Sequence, residues 1–193
     1  AMGYAYPNMS PVSNNSLNMH YTMINLMSSA NRTDFGDIIP NAASRDLATV
    51  STPIRGYFAG GEGTGLDSPS HNKNITIKGF ANDSESLNFG ELRTLSQRGA
   101  CLGSATRGVF IIGSTIPAFV NTMEYITLTT SGESTDFGDT VSNTGAINND
   151  AASNMIRGVY HNPRDTDGGA EKNILEYITI ATTGNATDFG DLN

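Results

Sequence analysis

The feature that most restricts this chain is internal repetition. Asp34-Phe35-Gly36-Asp37 returns as Asn88-Phe89-Gly90-Glu91, Asp136-Phe137-Gly138-Asp139 and Asp188-Phe189-Gly190-Asp191, with the phenylalanines 54, 48 and 52 residues apart. A second marker keeps step with the first: Arg55-Gly56, Arg107-Gly108 and Arg157-Gly158, with Gly3-Tyr4-Ala5-Tyr6 in the same slot of the first copy. A third, Asn31-Arg32-Thr33-Asp34, matches Asn185-Ala186-Thr187-Asp188. Markers held in phase along a chain are the sign of stacked supersecondary units, each too small to bury its own apolar face. The 193 residues are therefore read as one repeat domain, with units at 1–52, 53–104, 105–154 and 155–193.

Each unit reads as β-structure. The run Glu176-Tyr177-Ile178-Thr179-Ile180-Ala181 is β-branched and aromatic over strand length, and its copies lie at Glu124 to Thr129, Tyr21 to Met27 and, more loosely, Asn74 to Lys78. The Arg-Gly runs, the Asp-Phe-Gly-Asp pieces and the small-residue runs at Leu47 to Ser51, Ala100 to Ala105 and near Asn149 to Ser153 supply the other strands. No window sustains an apolar period of 3.6 residues, so helix content should be very low. With 21 glycines and only 16% charged residues, the composition is that of a turn-rich β-protein.

A four-stranded unit of about fifty residues in tandem is the sequence form of a propeller blade. The order of a small-residue strand, an Arg-Gly-aromatic strand ending at Tyr57-Phe58-Ala59-Gly60-Gly61, a variable loop and a Tyr-Ile-Thr-Ile strand resembles the kelch repeat. The sequence departs from that pattern in keeping the Gly-Gly pair once and in lacking tryptophan. The texts "Ala-Thr-Asp-Phe-Gly-Asp-Leu" and "Arg-Gly-Val-Phe" also resemble kelch-like proteins of tailed phages of marine and cyanobacterial hosts. The resemblance implies an all-β propeller of about four kelch-like four-stranded blades. Fifteen strands are expected, because the last unit stops after its third. The ring would then close on a short blade, be completed by oligomerisation, or belong to a longer protein. Phe35, Phe89, Phe137 and Phe189 are expected to pack between blades, and Arg55, Arg107 and Arg157 to mark the framework.

The chemistry-bearing residues exclude more than they indicate. Eleven basic residues against nineteen acidic leave a net charge of -8, with no basic stripe for phosphates, so nucleic acid is not an expected partner. No apolar run has the length of a membrane span. Cys101, the single cysteine, sits in an apolar stretch and reads as an inert thiol. The Asp-Phe-Gly triplets lack every companion motif of a kinase. Gly60 to Gly65 lacks the Gly-Lys-Ser/Thr ending of a phosphate loop, and Asp165 to Glu171 lacks the ligand spacing of a calcium loop. His20, His71 and His161 all fall between the first and second strands of their units, and they read as scattered surface histidines. Neither a cofactor, a metal nor catalysis is expected.

The connection between the Arg-Gly strand and the next differs in every copy, whereas the framework agrees. Loops of that kind carry recognition in repeat scaffolds. Asn8, Glu62, Asp67, His71, Phe119, His161, Asp165 and Asp167 are the binding residues expected from it, with Phe119 a contact aromatic or a subunit anchor. The function expected is a non-enzymatic, virion-associated or extracellular binding module recognising a surface glycan or a neighbouring protein. The alternative is a self-assembling building block without a small ligand, and a homo-oligomer is expected in both cases.

Overall fold

The computed structural model describes residues 2–3, 8–9, 19–25, 31, 33–37, 46–61, 71–81, 85–115, 118–141, 150–161 and 172–192. In the first part of the chain the backbone of β1 (Met2–Gly3) and β2 (Asn8–Met9) pairs with one side of β3 (Met19–Asn25), and β4 (Thr33–Asp37) pairs with the other. Three complete four-stranded antiparallel sheets follow. Sheet II is β5 (Ala48–Ser51), β6 (Arg55–Ala59), β7 (Asn72–Gly79) and β8 (Leu87–Ser96), in that spatial order. Sheet III is β9 (Ala100–Gly103), β10 (Arg107–Ile111), β11 (Thr122–Thr127) and β12 (Thr135–Asp139). Sheet IV repeats the pattern with β13 (Ala151–Ser153), β14 (Arg157–His161), β15 (Ile174–Thr179) and β16 (Thr187–Asp191). The group β1–β4 is sheet I below. No helix occurs among the described residues.

Short-range chemistry sets these meanders. The small-residue strand turns into the Arg-Gly strand over three residues, and a side-chain acceptor holds each turn. Arg55 N donates to Thr52 Oγ1 (3.1 Å), Arg107 N to Ser104 Oγ (3.1 Å) and Arg157 N to Asn154 Oδ1 (2.8 Å). In the Asp/Asn-Phe-Gly motif the first side chain accepts from the glycine N–H, at 3.0 Å for Asp34, 3.1 Å for Asn88 and 2.9 Å for Asp188. The pairing slips here: Met123 faces Gly138 while Glu124 faces Asp136, and Leu175 faces Gly190 while Glu176 faces Asp188. Phe137 and Phe189 are thus the extra residues of β-bulges, and Phe89 is one too, between Gly90 and Asn88.

Alternation along the middle strands then divides the core. Val109 and Ile111 of β10 join Phe137 of the same sheet and Tyr160, Ile178 and Ile180 of sheet IV. Their neighbours Phe110 and Ile112 face the other way, against Tyr57, Ile75, Phe89 and Leu92 of sheet II. β10 is consequently buried on both faces, whereas β14 alternates between buried and partly exposed positions. Glycines let the small-residue strands come close: a Cβ on Gly103 would lie 2.4 Å from Val50 Cγ2, and one on Gly158 would lie 2.5 Å from Leu102 Cδ1.

The expectation of a kelch-like β-propeller is corrected by this arrangement. The sheets are separate, open and antiparallel, and none is closed or curled. A ring needs the strand at the end of the last sheet to be covered like those before it. Phe137 is 2% exposed, whereas Phe189 is 52% exposed and Gly190 has nothing within 4 Å of the place its Cβ would take. The stack ends there. The strand inventory also differs from fifteen, because Asn8–Met9 forms a strand where a loop is expected.

Candidate functional site

The outer strand of each complete sheet, the one carrying the bulge, is built to receive its neighbour. On β8, Phe89 O accepts from Gly132 N (2.9 Å) and Glu91 O from Ser134 N (2.8 Å). On β12, Phe137 O accepts from Gly184 N (2.7 Å) and Asp139 O from Ala186 N (2.8 Å). The turn before the bulged strand of one sheet therefore zips onto the bulged strand of the sheet before it. Contact is close enough to need glycine: a Cβ on Gly90 would lie 1.8 Å from Gly132 O, and one on Gly138 would lie 2.4 Å from Gly184 O.

A buried carboxylate completes each joint. Glu124 is 1% exposed, and its Oε2 accepts from Arg93 N (2.8 Å) in sheet II and from Ser134 Oγ (2.5 Å). Glu176 is 0% exposed, and its Oε2 accepts from Val141 N (2.9 Å), beyond β12, and from Tyr160 Oη (2.5 Å). Burial, with the Glu176 carboxylate beside it, pushes the Tyr160 phenol well above the usual tyrosine range. Arg107 adds a further tie, stacking on Tyr125 at 4.3 Å and donating from Nη1 to Ile180 O (3.0 Å) and Ala181 O (2.9 Å) of sheet IV. At the first joint, Lys78 Nζ lies 4.4 Å from the centre of the Phe35 ring.

The same device stands open at β16. Arg157 stacks on Tyr177 at 4.5 Å and Tyr177 meets Phe189 edge-on at 5.9 Å, as Tyr125 meets Phe137 at 6.2 Å. No turn of another sheet reaches Phe189 O or Asp191 O among the described residues. Leu192 (45% exposed) extends the exposed surface.

Comparison with known proteins adds the fold and no more. No family model matches the chain, and no curated protein does. A solved structure titled "Structure of YjhT" superposes with a TM-score of 0.72 over 90% of this chain, at 6% sequence identity. The chain spans 60% of the length of that protein. The likeness is one of fold.

Of the eight residues expected to bind a ligand, four fall within the described residues. Glu62, Asp67, Asp165 and Asp167 lie outside the described residues. Asn8 is in β2, opposite His20, instead of in a loop. His71 is buried, not on a rim, with Nε2 3.3 Å from Ser114 Oγ. Gln97 Nε2 donates to that same oxygen at 3.2 Å, and the buried Gln97 Oε1 has no hydrogen-bond partner among the described residues. Phe119 is half-buried in a bridge to Ser114, and His161 Nε2 lies 2.9 Å from Lys172 O. Cys101 is half-buried, with burial pushing its thiol well above the usual range. Among the described residues no three His, Cys, Asp or Glu side chains are grouped to hold a metal ion, and no helix is long and apolar enough to cross a membrane. The framework residues behave differently. Phe89 and Phe137 are buried between sheets, Phe35 lies beneath Lys78, Arg107 spans a joint, Arg55 is exposed, and Phe189 and Arg157 lie on the open end. Sequence reasoning missed the buried glutamates and the docking turns. The recurring Glu-Tyr-Ile-Thr text was their only trace.

Proposed function

We propose that this chain is a non-catalytic assembly module whose open β16 strand binds a further four-stranded β-unit, one not contained in these 193 residues. A propeller recognising glycans or proteins through the loops of one rim is not the function, because the ring that would gather those loops is not formed. One observation carries the proposal: Phe89 and Phe137 are covered and their flanking carbonyls bonded, while Phe189, in the same motif, is 52% exposed. An exposed aromatic beside carbonyls that accept no backbone hydrogen bond from another sheet among the described residues supports the reading of a partner surface. The unit it fits has a turn with two N–H groups for Phe189 O and Asp191 O, carbonyls for Arg157, and apolar residues like Ile178 and Ile180 against Phe189.

A tandem extension tests this. The chain has no tryptophan, so Phe189→Trp reports on this site alone. Appending a second copy of residues 142–193 after Asn193 should shift its emission to the blue, as the added turn covers β16. Equal emission with and without the added unit overturns the reading.

A further inference from the structure

Resting on the reading of β16 as a docking strand, we propose that the unit it receives carries a basic side chain, on the strand equivalent to β10, that meets Asp150 at the inner end of the same face. Register places the residues concerned. Ala48 pairs with Ala59 in sheet II, and Ala100 with Ile111 in sheet III. In sheet IV that pair becomes Asp150 and His161, the Asp150 carbonyl accepting from His161 N at 3.0 Å. Two residues further on, Val50 and Leu102 give way to Ala152, which pairs with Val159 as Leu102 pairs with Val109.

Alternation turns these positions toward the sheet that follows. Ala48 and Ala59 lie in the core between sheets II and III, and Ala100, Leu102 and Ile111 in that between sheets III and IV. The outer half of the free face keeps the pattern of sheet III, with Val159, Tyr177 and Phe189 in place of Val109, Tyr125 and Phe137. Its inner half is polar instead. Under a docked sheet the inner positions are dry: Ala48 and Ala100 are each 5% exposed, Ala59 1% and Ile111 0%. Docking in the same manner takes the exposed Asp150 carboxylate out of water, which is strongly unfavourable unless a cation meets it.

Sheets III and IV bring no cation to such a place. Phe110 and Ile112 enter the core that holds Ala48 and Ala59. Tyr160 has the register of Phe110, and its hydroxyl already donates to Glu176 Oε2. His161 Nε2 lies 2.9 Å from Lys172 O, which leaves the carboxylate as the group to be met. There is room for a long side chain. Val50 Cγ1 lies 2.9 Å from where a Cβ on Gly108 would stand, and Leu102 Cδ1 2.5 Å from the same point on Gly158, whereas Ala152 has only a methyl group. A lysine or arginine at the place of Phe110 or Ile112 fills that gap and neutralises Asp150. The net charge of -8 also favours the approach of a basic partner.

The test uses the full chain with Phe189→Trp and a second copy of residues 92–141, which contain sheet III, appended after Asn193. Emission followed through urea unfolding reads how firmly the added unit covers position 189. Asp150→Ala with His161→Ile should raise the constant for covering about tenfold or more, because the face then matches that of sheet III. With Asp150 intact, Phe110→Arg or Ile112→Arg in the added unit should raise it by a similar factor, and Asp150→Ala should abolish that gain. Asp150→Asn and lysine in place of arginine serve where a variant loses its β-sheet circular dichroism. Indifference to Asp150→Ala with His161→Ile overturns the inference. So does an arginine gain at neither position, or one that survives Asp150→Ala. Sedimentation of the unextended chain adds a further outcome: self-association that Asp150→Arg removes gives the face to a second copy and overturns the inference. If position 189 is covered but ignores Asp150, the docking reading stands and the basic partner falls. If no extension covers position 189, the docking reading itself has failed.

Discussion

Gly138 and Gly190 occupy the same place in the same four-residue motif, at φ 138° and 131°, and differ only in what lies above them. A side chain at either is strained by the backbone conformation, which costs about 1–2 kcal/mol. At Gly138 it also collides with the Gly184 carbonyl, and forcing atoms into a packed joint costs about 1–3 kcal/mol more. Gly138→Ala should therefore lower the urea midpoint clearly further than Gly190→Ala, and equal losses would mean that the joint yields freely. The importance of the triplet was legible from its recurrence. Its work as a bulge was not, because a bulge exists only against a partner strand whose register the triplet does not encode.

At the scale of elements, the joints are made by backbone groups and two buried carboxylates, as well as by apolar faces. Glu124 accepts an N–H from a strand 31 residues earlier, and that distance in sequence is why no local pattern announced it. Glu124→Ala would leave Ser134 Oγ without its acceptor and Arg93 N–H with Ser134 Oγ alone (3.0 Å), at a cost of about 1–3 kcal/mol. Amide exchange at Arg93 should accelerate ahead of that in the centre of β7, whereas unchanged protection would mean that water replaces the carboxylate. The strands themselves were readable, since β-branched runs bounded by Gly, Asn and Ser leave little else to form. Their grouping was less so. The small-residue strand reads as the end of one unit, yet Thr52, Ser104 and Asn154 turn it back into the Arg-Gly strand that follows.

Across the whole molecule, sheet III is hydrogen-bonded to sheet II and sheet IV to sheet III, so a residue's worth depends on its place in the stack. Phe137→Ala should cost about 3–5 kcal/mol, because the ring is closed in between sheets III and IV. Phe189→Ala, in identical local sequence, should stay within about 0.5 kcal/mol. Chemical denaturation of the two variants decides this. A large loss at Phe189 would show that β16 is already covered.

The sequence alone determined the β-class, the four-fold repetition, and the phenylalanine and arginine positions around which the sheets are organised. These follow from residue type and local spacing, which act over a few residues. Only the tertiary structure decided that the sheets remain an open stack, that two glutamates are buried at the joints, and that Phe189 stays exposed where Phe89 and Phe137 are covered. Those outcomes turn on whether surfaces far apart along the chain fit one another.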